Sequence, residues 1–144
     1  MSFPRMLELD ENLTLRQSPV AELETILEND IERSDLLVTS SPIEFFPRNP
    51  HSFVVRITCL VEDIRSRFME IGIRSGNHRA AIVQCDFYSG VLSFDRSNAD
   101  NYSAGRVSCP LEAHNGVYHL QLILDNNSVE IFSDDGRHCI SATI

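Results

Sequence analysis

Tyr118-His119-Leu120-Gln121-Leu122-Ile123-Leu124, running through Asp125-Asn126-Asn127 into Ser128-Val129-Glu130-Ile131-Phe132, is the stretch that decides the fold. Side chains along a strand point alternately to its two faces. Tyr118, Leu120, Leu122 and Leu124 therefore line one face, and His119 and Gln121 the other. Asp and Asn favour turns because their short side chains bond nearby backbone and tolerate positive φ. The reading is a β-hairpin in which Asp125 and Ser128 bond turn amides. Val129 and Ile131 face away from Glu130 and Phe132.

The same period of two extends outward, from Leu36 to the end of the chain. In Phe53-Val54-Val55-Arg56-Ile57-Thr58-Cys59-Leu60-Val61, one face collects Phe53, Val55, Ile57, Cys59 and Val61. Met69, Ile71 and Ile73 alternate in the next run. Turn signals separate the runs at Ser75-Gly76-Asn77, Ser89-Gly90, Asn115-Gly116 and Asp135-Gly136. Short strands at this spacing are the signature of an all-β sandwich or barrel, and the fold expected is a two-sheet antiparallel β-sandwich of jelly-roll or concanavalin A-like type. The N-terminus differs. Met6-Leu7-Glu8-Leu9 and Leu13-Thr14-Leu15 flank Asp10-Glu11-Asn12 as a short hairpin. Ser18-Pro19 then reads as an N-cap and first turn, with Val20, Leu23 and Leu27 at helical spacing, so a helix is expected over about Pro19–Glu28.

The 144 residues suit one sandwich, and 42% are hydrophobic, enough for a core. The net charge of −9 argues against nucleic acid or an anionic membrane surface as a partner. No apolar run approaches the roughly 20 residues of a membrane-spanning helix, and Met1–Leu15 lacks the basic start and apolar stretch of a secretory signal. Cys59, Cys85, Cys109 and Cys139 form no CxxC pair, and each sits in a strand-like run. Buried free thiols are expected rather than one or two disulfides. That pattern points to a cytoplasmic protein, or an extracellular one if a secreted enzyme is the parent.

Groups that could carry chemistry are few. Asp125 and Glu130 flank one turn and could approach as a glycosidase pair, which needs two carboxylates with separated pKa values; a structural role suits hairpin carboxylates better. His51, His78, His114, His119 and His138 form neither HxxxH nor HExxH, so no metal site is expected. Asp95–Asp100 resembles a calcium loop but lacks its sixth-position glycine. Asn12, Asn101 and Asn126 begin N-glycosylation tripeptides. The chain has no Trp, which leaves Tyr88, Tyr102 and Tyr118 as aromatics for stacking a sugar. Tyr118 shares a face with Leu120 and Leu122 and is assigned to the core.

The stretch Leu124-Asp125-Asn126-Asn127-Ser128-Val129-Glu130-Ile131-Phe132-Ser133-Asp134-Asp135-Gly136 resembles the D-x-S-S-V-E-V-F-x-N-D-G signature in the C-terminal sandwich of glycoside hydrolase family 32. Leu92-Ser93-Phe94-Asp95-Arg96-Ser97-Asn98 is similar to that domain's L-x-x-D-R-S-x-S-G element. Phe3-Pro4-Arg5-Met6-Leu7 and Gln17-Ser18-Pro19-Val20-Ala21-Glu22-Leu23 resemble its P-R-E-L and Q-x-P-V-x-E-L segments. Asn127, Ser133-Asp134 and Met6 depart from the pattern at turn or surface positions.

The resemblance implies a module that follows a five-bladed propeller in invertases, levanases, inulinases and sucrose-6-phosphate hydrolases. The propeller supplies an aspartate nucleophile in W-M-N-D-P-N-G, a transition-state aspartate in R-D-P and a glutamate acid/base in E-C. None of these motifs occurs here, so no catalytic residue, cofactor or metal ligand is assigned, and substrate-binding residues stay unassigned. Residues 1–30 correspond to the end of the propeller plus a linker helix, and 31–144 to the sandwich. The chain thus reads as a piece of a β-fructosidase acting on sucrose, sucrose 6-phosphate or fructan. The alternative is a lectin-like sandwich contacting fructan directly; an independent enzyme is disfavoured. The hairpin's leucines need a cover, on this sandwich or on a second copy, and a homodimer is expected.

Overall fold

The β8–β9 hairpin, Val117–Asp125 and Ser128–Ser133, centres the molecule. The computed structural model describes residues 3–27, 32–47, 49, 51–75, 79–99 and 104–144. The other strands are β1 (Arg5–Leu9), β2 (Leu15–Pro19), β3 (Ser52–Leu60), β4 (Phe68–Ser75), β5 (Arg79–Asp86), β6 (Val91–Asn98), β7 (Arg106–Pro110) and β10 (His138–Thr143), with one helix, α1 (Glu22–Ile26). Two antiparallel four-stranded sheets, ordered β10-β9-β8-β3 and β4-β5-β6-β7, form the sandwich, and β1-β2 stands apart as a hairpin.

The period of two fixes what lies between the sheets. Leu120, Leu122, Leu124, Val129, Ile131 and Ile140 come from one sheet, and Ala81, Val83, Cys85, Leu92 and Phe94 from the other; all are buried in one cluster. Tyr118 joins this core, its ring centroid 5.1 Å from that of Phe87. Glu130 and Phe132 point the opposite way from Val129 and Ile131, as the alternation requires. The Arg96 guanidinium donates to the Thr143 carbonyl at 2.9 Å and ties the two sheets together along one edge.

Several local expectations need correction. The helix does not begin at Pro19: Ser18 and Pro19 close β2, and Ala21 is the N-cap of the five-residue α1. Leu27 has extended backbone and ends it. Pairing with β1 wins over helix formation because a short helix has a costly nucleus. Period-two structure does not begin at Leu36 either. Residues 36–46 form neither strand nor helix, and Leu36, Leu37, Val38, Ile43, Phe45 and Phe46 are exposed. Pro42 and Pro47 offer no N–H to a ladder, which keeps this segment out of the sheets. Val61 leaves the strand face for a 3-10 turn over Val61–Asp63. In the β8–β9 turn, Asn126 takes a φ of 37°, but the side-chain bonds differ from expectation. Asp125 Oδ1 accepts from the Ser52 hydroxyl at 2.7 Å, and Ser128 Oγ donates to the Asp125 carbonyl. The Ser75–Asn77 turn falls partly outside the described residues.

A second, smaller core lies on the outer face of the β10-β9-β8-β3 sheet. Leu23, Ile123 and Phe132 are buried there, with Phe3, Val54 and Cys139 packed around them. Truncating a buried ring loses both transfer energy and packing, so Phe132→Ala should cost about 3–5 kcal/mol in urea unfolding. A loss under about 1 kcal/mol would show that this outer core does not form.

All four cysteines are free thiols. Burial pushes the Cys85 thiol up to about 12, with Cys59 and Cys109 adding to the shift. The thiolate is the reactive form, so iodoacetamide should label Cys85 only after unfolding. Native labelling at the rate of a free thiol would mean that the sheets open readily.

Candidate docking surface

The outer core exists because the N-terminal segment folds back over the sandwich. Its anchor is Glu130, which alternation sends to the outer face of β9 and which is only 1% exposed. A buried carboxylate must be paired. Glu130 accepts the Phe3 backbone N–H at 2.7 Å on Oε1 and the Arg5 guanidinium at 2.9 Å and 3.2 Å on Oε2. The same guanidinium donates to Gln17 on the paired strand and to Ser141 on β10, and it stacks 5.3 Å from the Phe132 ring centroid. One planar, five-donor group thus joins β1, β2, β9 and β10.

A second set of bonds fixes the hairpin's turn. Asp10 Oδ1 accepts the backbone N–H groups of Asn12 and Thr14, both at 2.9 Å, while Oδ2 receives Arg16 and Arg137 at 3.4 Å. The Thr14 amide first, then the Asn12 amide and Arg16, hold the Asp10 carboxyl below the usual carboxylate range. Between the two anchors, Gln17 crosses Gly136 so closely that a Cβ there would collide with the Gln17 carbonyl. Gly136 also has a φ of 87°, which a side chain rarely adopts.

The hairpin also carries exposed apolar side chains. Antiparallel pairing sets Leu7 opposite Gln17 and Leu9 opposite Leu15. Leu7 is 62% and Leu9 64% exposed, and Met6, Leu13 and Leu15 are exposed as well. Exposed apolar side chains gathered on one anchored hairpin make it a candidate interaction surface. Beside it, an open cavity of about 230 Å³ is lined by Arg56, Thr58, His119, Gln121 and Phe132. That is below the roughly 300–1,000 Å³ of ligand pockets, and Arg56 is taken up by an ion pair with Glu24 of α1.

The remaining candidates are dispersed. Asp125 and Glu130 are each engaged, by Ser52 and by Arg5, so they do not form a free carboxylate pair. His51 and His119 are exposed, His114 bridges to Val117, and His138 Nε2 lies 3.9 Å from Asp134 Oδ2. Burial raises the pKa of that Asp134 carboxyl. His78, Tyr102 and Asn101 lie outside the described residues. Among the described residues no group of three or more His, Cys, Asp or Glu side chains is placed to hold a metal ion. Asp95 sits inside β6, where its carboxylate caps the Ser97 N–H, so residues 95–98 are strand rather than calcium loop, and Asp100 lies outside the described residues. Asn12 and Asn126 are exposed at turns. Sequence reading missed the buried role of Glu130. The signal was the unbroken Leu122-Ile123-Leu124, since a strand apolar on both faces is covered on both.

The architecture defines a β-sandwich module carrying an N-terminal strap. The sequence matches "Glycosyl hydrolases family 32 C terminal" over residues 14–144, and the chain belongs to that family. The levanase of Bacillus subtilis (strain 168) is 26% identical over 153 residues, covering 99% of this chain and 23% of that protein. The solved exo-inulinase from Aspergillus awamori superposes with a TM-score of 0.80 at 22% identity, over 100% of this chain and 30% of its own. The β-fructofuranosidase from Schwanniomyces occidentalis gives 0.67 at 19% identity, over 99% and 34%. The chain therefore spans between 23% and 34% of the length of these relatives.

Removing one member of a buried ion pair strands the other. Arg5→Ala should therefore cost about 3–5 kcal/mol and speed amide exchange throughout β1 and β2. Gly136→Ala should act in the same direction by at least about 1–2 kcal/mol, from its positive φ alone. Unchanged hairpin protection in both variants would show that these contacts do not hold the strap.

Proposed function

We propose that this chain is the non-catalytic C-terminal sandwich of a larger β-fructosidase, and that it docks on and stabilises that enzyme's five-bladed catalytic propeller. The parent hydrolyses β-fructofuranosides such as sucrose, sucrose 6-phosphate or fructan with retention. The observation that carries this reading is the hairpin. Glu130 and Asp10 hold it in place, yet it turns Leu7, Leu9, Leu13 and Leu15 outward. Covering such surface is worth roughly 25 cal/mol per Å². Family membership and the small share of each relative that the chain spans support the choice of partner, and the relatives' names support the substrate class. Retaining hydrolysis needs two free carboxylates about 5–5.5 Å apart, so the chemistry is assigned to the propeller. Four free thiols suit a reducing compartment and support a cytoplasmic parent.

The test uses the isolated chain and the larger enzyme, each with and without Leu7→Lys/Leu9→Lys. The isolated chain should release no fructose from sucrose, inulin or levan at high protein concentration. In the larger enzyme the double variant should lower the melting temperature by roughly 4 °C, while the isolated chain keeps its stability. Turnover that survives repurification, or a double variant neutral in the larger enzyme, would overturn the proposal. So would light scattering that shows the larger enzyme using these leucines only to pair two copies.

A further inference from the structure

The outer face of the β4-β5-β6-β7 sheet points away from the strap and carries a different surface. At one end stand Phe68, 44% exposed, and Tyr88, 84% exposed. Arg67 lies between them, its guanidinium carbon 4.7 Å from the Phe68 ring centroid and 5.4 Å from that of Tyr88. The guanidinium is itself pinned. Its Nη2 and Nε donate to Asp86 at 2.8–3.2 Å, and Asp86 Oδ1 also accepts the backbone N–H groups of Tyr88 and Ser89, both at 3.1 Å. The Arg67 bond, first among these, holds the Asp86 carboxyl well below its usual range, so the pair stays charged at neutral and mildly acidic pH.

From this aromatic end a row of polar side chains runs across the sheet. Gln84 donates to Glu70 at 2.7 Å, and Arg106 donates to Gln84 at 3.0 Å and to Ser93 at 2.8 Å. Register places Glu70, Gln84 and Ser93 side by side on β4, β5 and β6, two residues along each strand from Phe68, Asp86 and Val91. The face thus joins stacking surface to a fixed row of donors and acceptors.

We propose that Tyr88, Phe68 and the adjoining Glu70–Gln84–Arg106 row bind a neutral oligosaccharide, with one sugar ring stacked on Tyr88. Three features select that occupant. Arg67, the guanidinium between the two rings, is already paired with Asp86, and Arg106 is turned to Gln84 and Ser93 on the sheet, which disfavours a phosphate or carboxylate at the stacking end. A sugar ring has an apolar C–H face edged by hydroxyls, each both donor and acceptor, which matches a ring beside an amide, a carboxylate and a guanidinium. And the aromatic side chains are pre-ordered by Arg67, which removes much of the entropic cost of clamping a flexible ligand to an exposed ring. The kind of sugar, a β-fructan, rests on the proposed parent enzyme; the platform does not.

Native affinity electrophoresis of the 144-residue chain in gels containing inulin, levan, dextran or xylan tests this. Fructan should retard the chain. Tyr88→Ala should weaken retardation roughly tenfold, from the loss of about 1.5 kcal/mol of stacking, and Tyr88→Trp should restore it. Both variants should melt with the parent chain, since Tyr88 is exposed. Retardation by dextran or xylan alone, abolished in Tyr88→Ala, would keep the platform and overturn its assignment to fructan. No retardation by any polysaccharide, or equal retardation of wild type and Tyr88→Ala, would overturn the platform itself while leaving the propeller-docking reading intact.

Discussion

A single carboxylate on the wrong side of a strand organises this molecule. β9 offers Val129 and Ile131 to the main core, and alternation then obliges Glu130 to face outward between Ile123 and Phe132, on a face that is itself covered. Leaving a carboxylate dry and unpaired costs far more than a lost hydrogen bond. The sandwich therefore cannot complete itself from its own strands. It must recruit Arg5 and the Phe3 amide from the far N-terminus, more than a hundred residues away in sequence. A hydrophobe at position 130 would hold the strap by area alone and leave its register loose. The fork of Arg5, reaching Glu130, Gln17 and Ser141 together, admits one placement.

That recruitment makes the two sheets unequal. The β10-β9-β8-β3 sheet is covered on its outer face around Ile123, Glu130 and Phe132, which is why β8 turns apolar on both faces from Leu122 to Leu124. The β4-β5-β6-β7 sheet has its core on one face only, so Val83 and Cys85 alternate with Gln84 on β5, and Leu92 and Phe94 with Ser93 on β6. The paired residues Gln84 and Ser93 meet Arg106 from β7, so the polar face is knit by side chains rather than hidden by another layer.

The sandwich was legible because period two is a strong local signal and Asn, Asp and Gly mark its turns. In the second sheet β4 falls on the Met69, Ile71 and Ile73 run that the alternation identifies, while β5, β6 and β7 are bracketed by turn signals rather than read strand by strand. The helix failed for a physical reason: Ser18-Pro19 is equally good chemistry for a helix start and for a strand end, and only the partner strand β1 decides between them. Leu36–Phe46 failed because composition supports a strand there while Pro42 and Pro47 deny it a ladder. The strap's seat was not legible at all. Nothing near Arg5 in sequence reveals that its carboxylate lies on β9, and Gly136 is marked by its turn chemistry rather than by the passing of Gln17 above it.

The division between the two outer faces has a consequence for how such a module can work. Sheets in a sandwich pack about 10 Å apart, so the strap and the polar face of the β4-β5-β6-β7 sheet lie on opposite sides of the core. A partner covering Leu7 and Leu9 would leave Tyr88, Phe68 and Gln84 in solvent. The strap presents apolar area, which rewards a large protein surface that stays in place. The opposite face presents hydrogen-bonding groups with one aromatic end, which rewards a small, hydroxylated, exchangeable ligand. A closely packed core lies between them, so the two faces share no side chain through which one could rearrange the other. Permanent docking and transient binding can then coexist on one small module because the buried Glu130 settles which of its two faces is occupied.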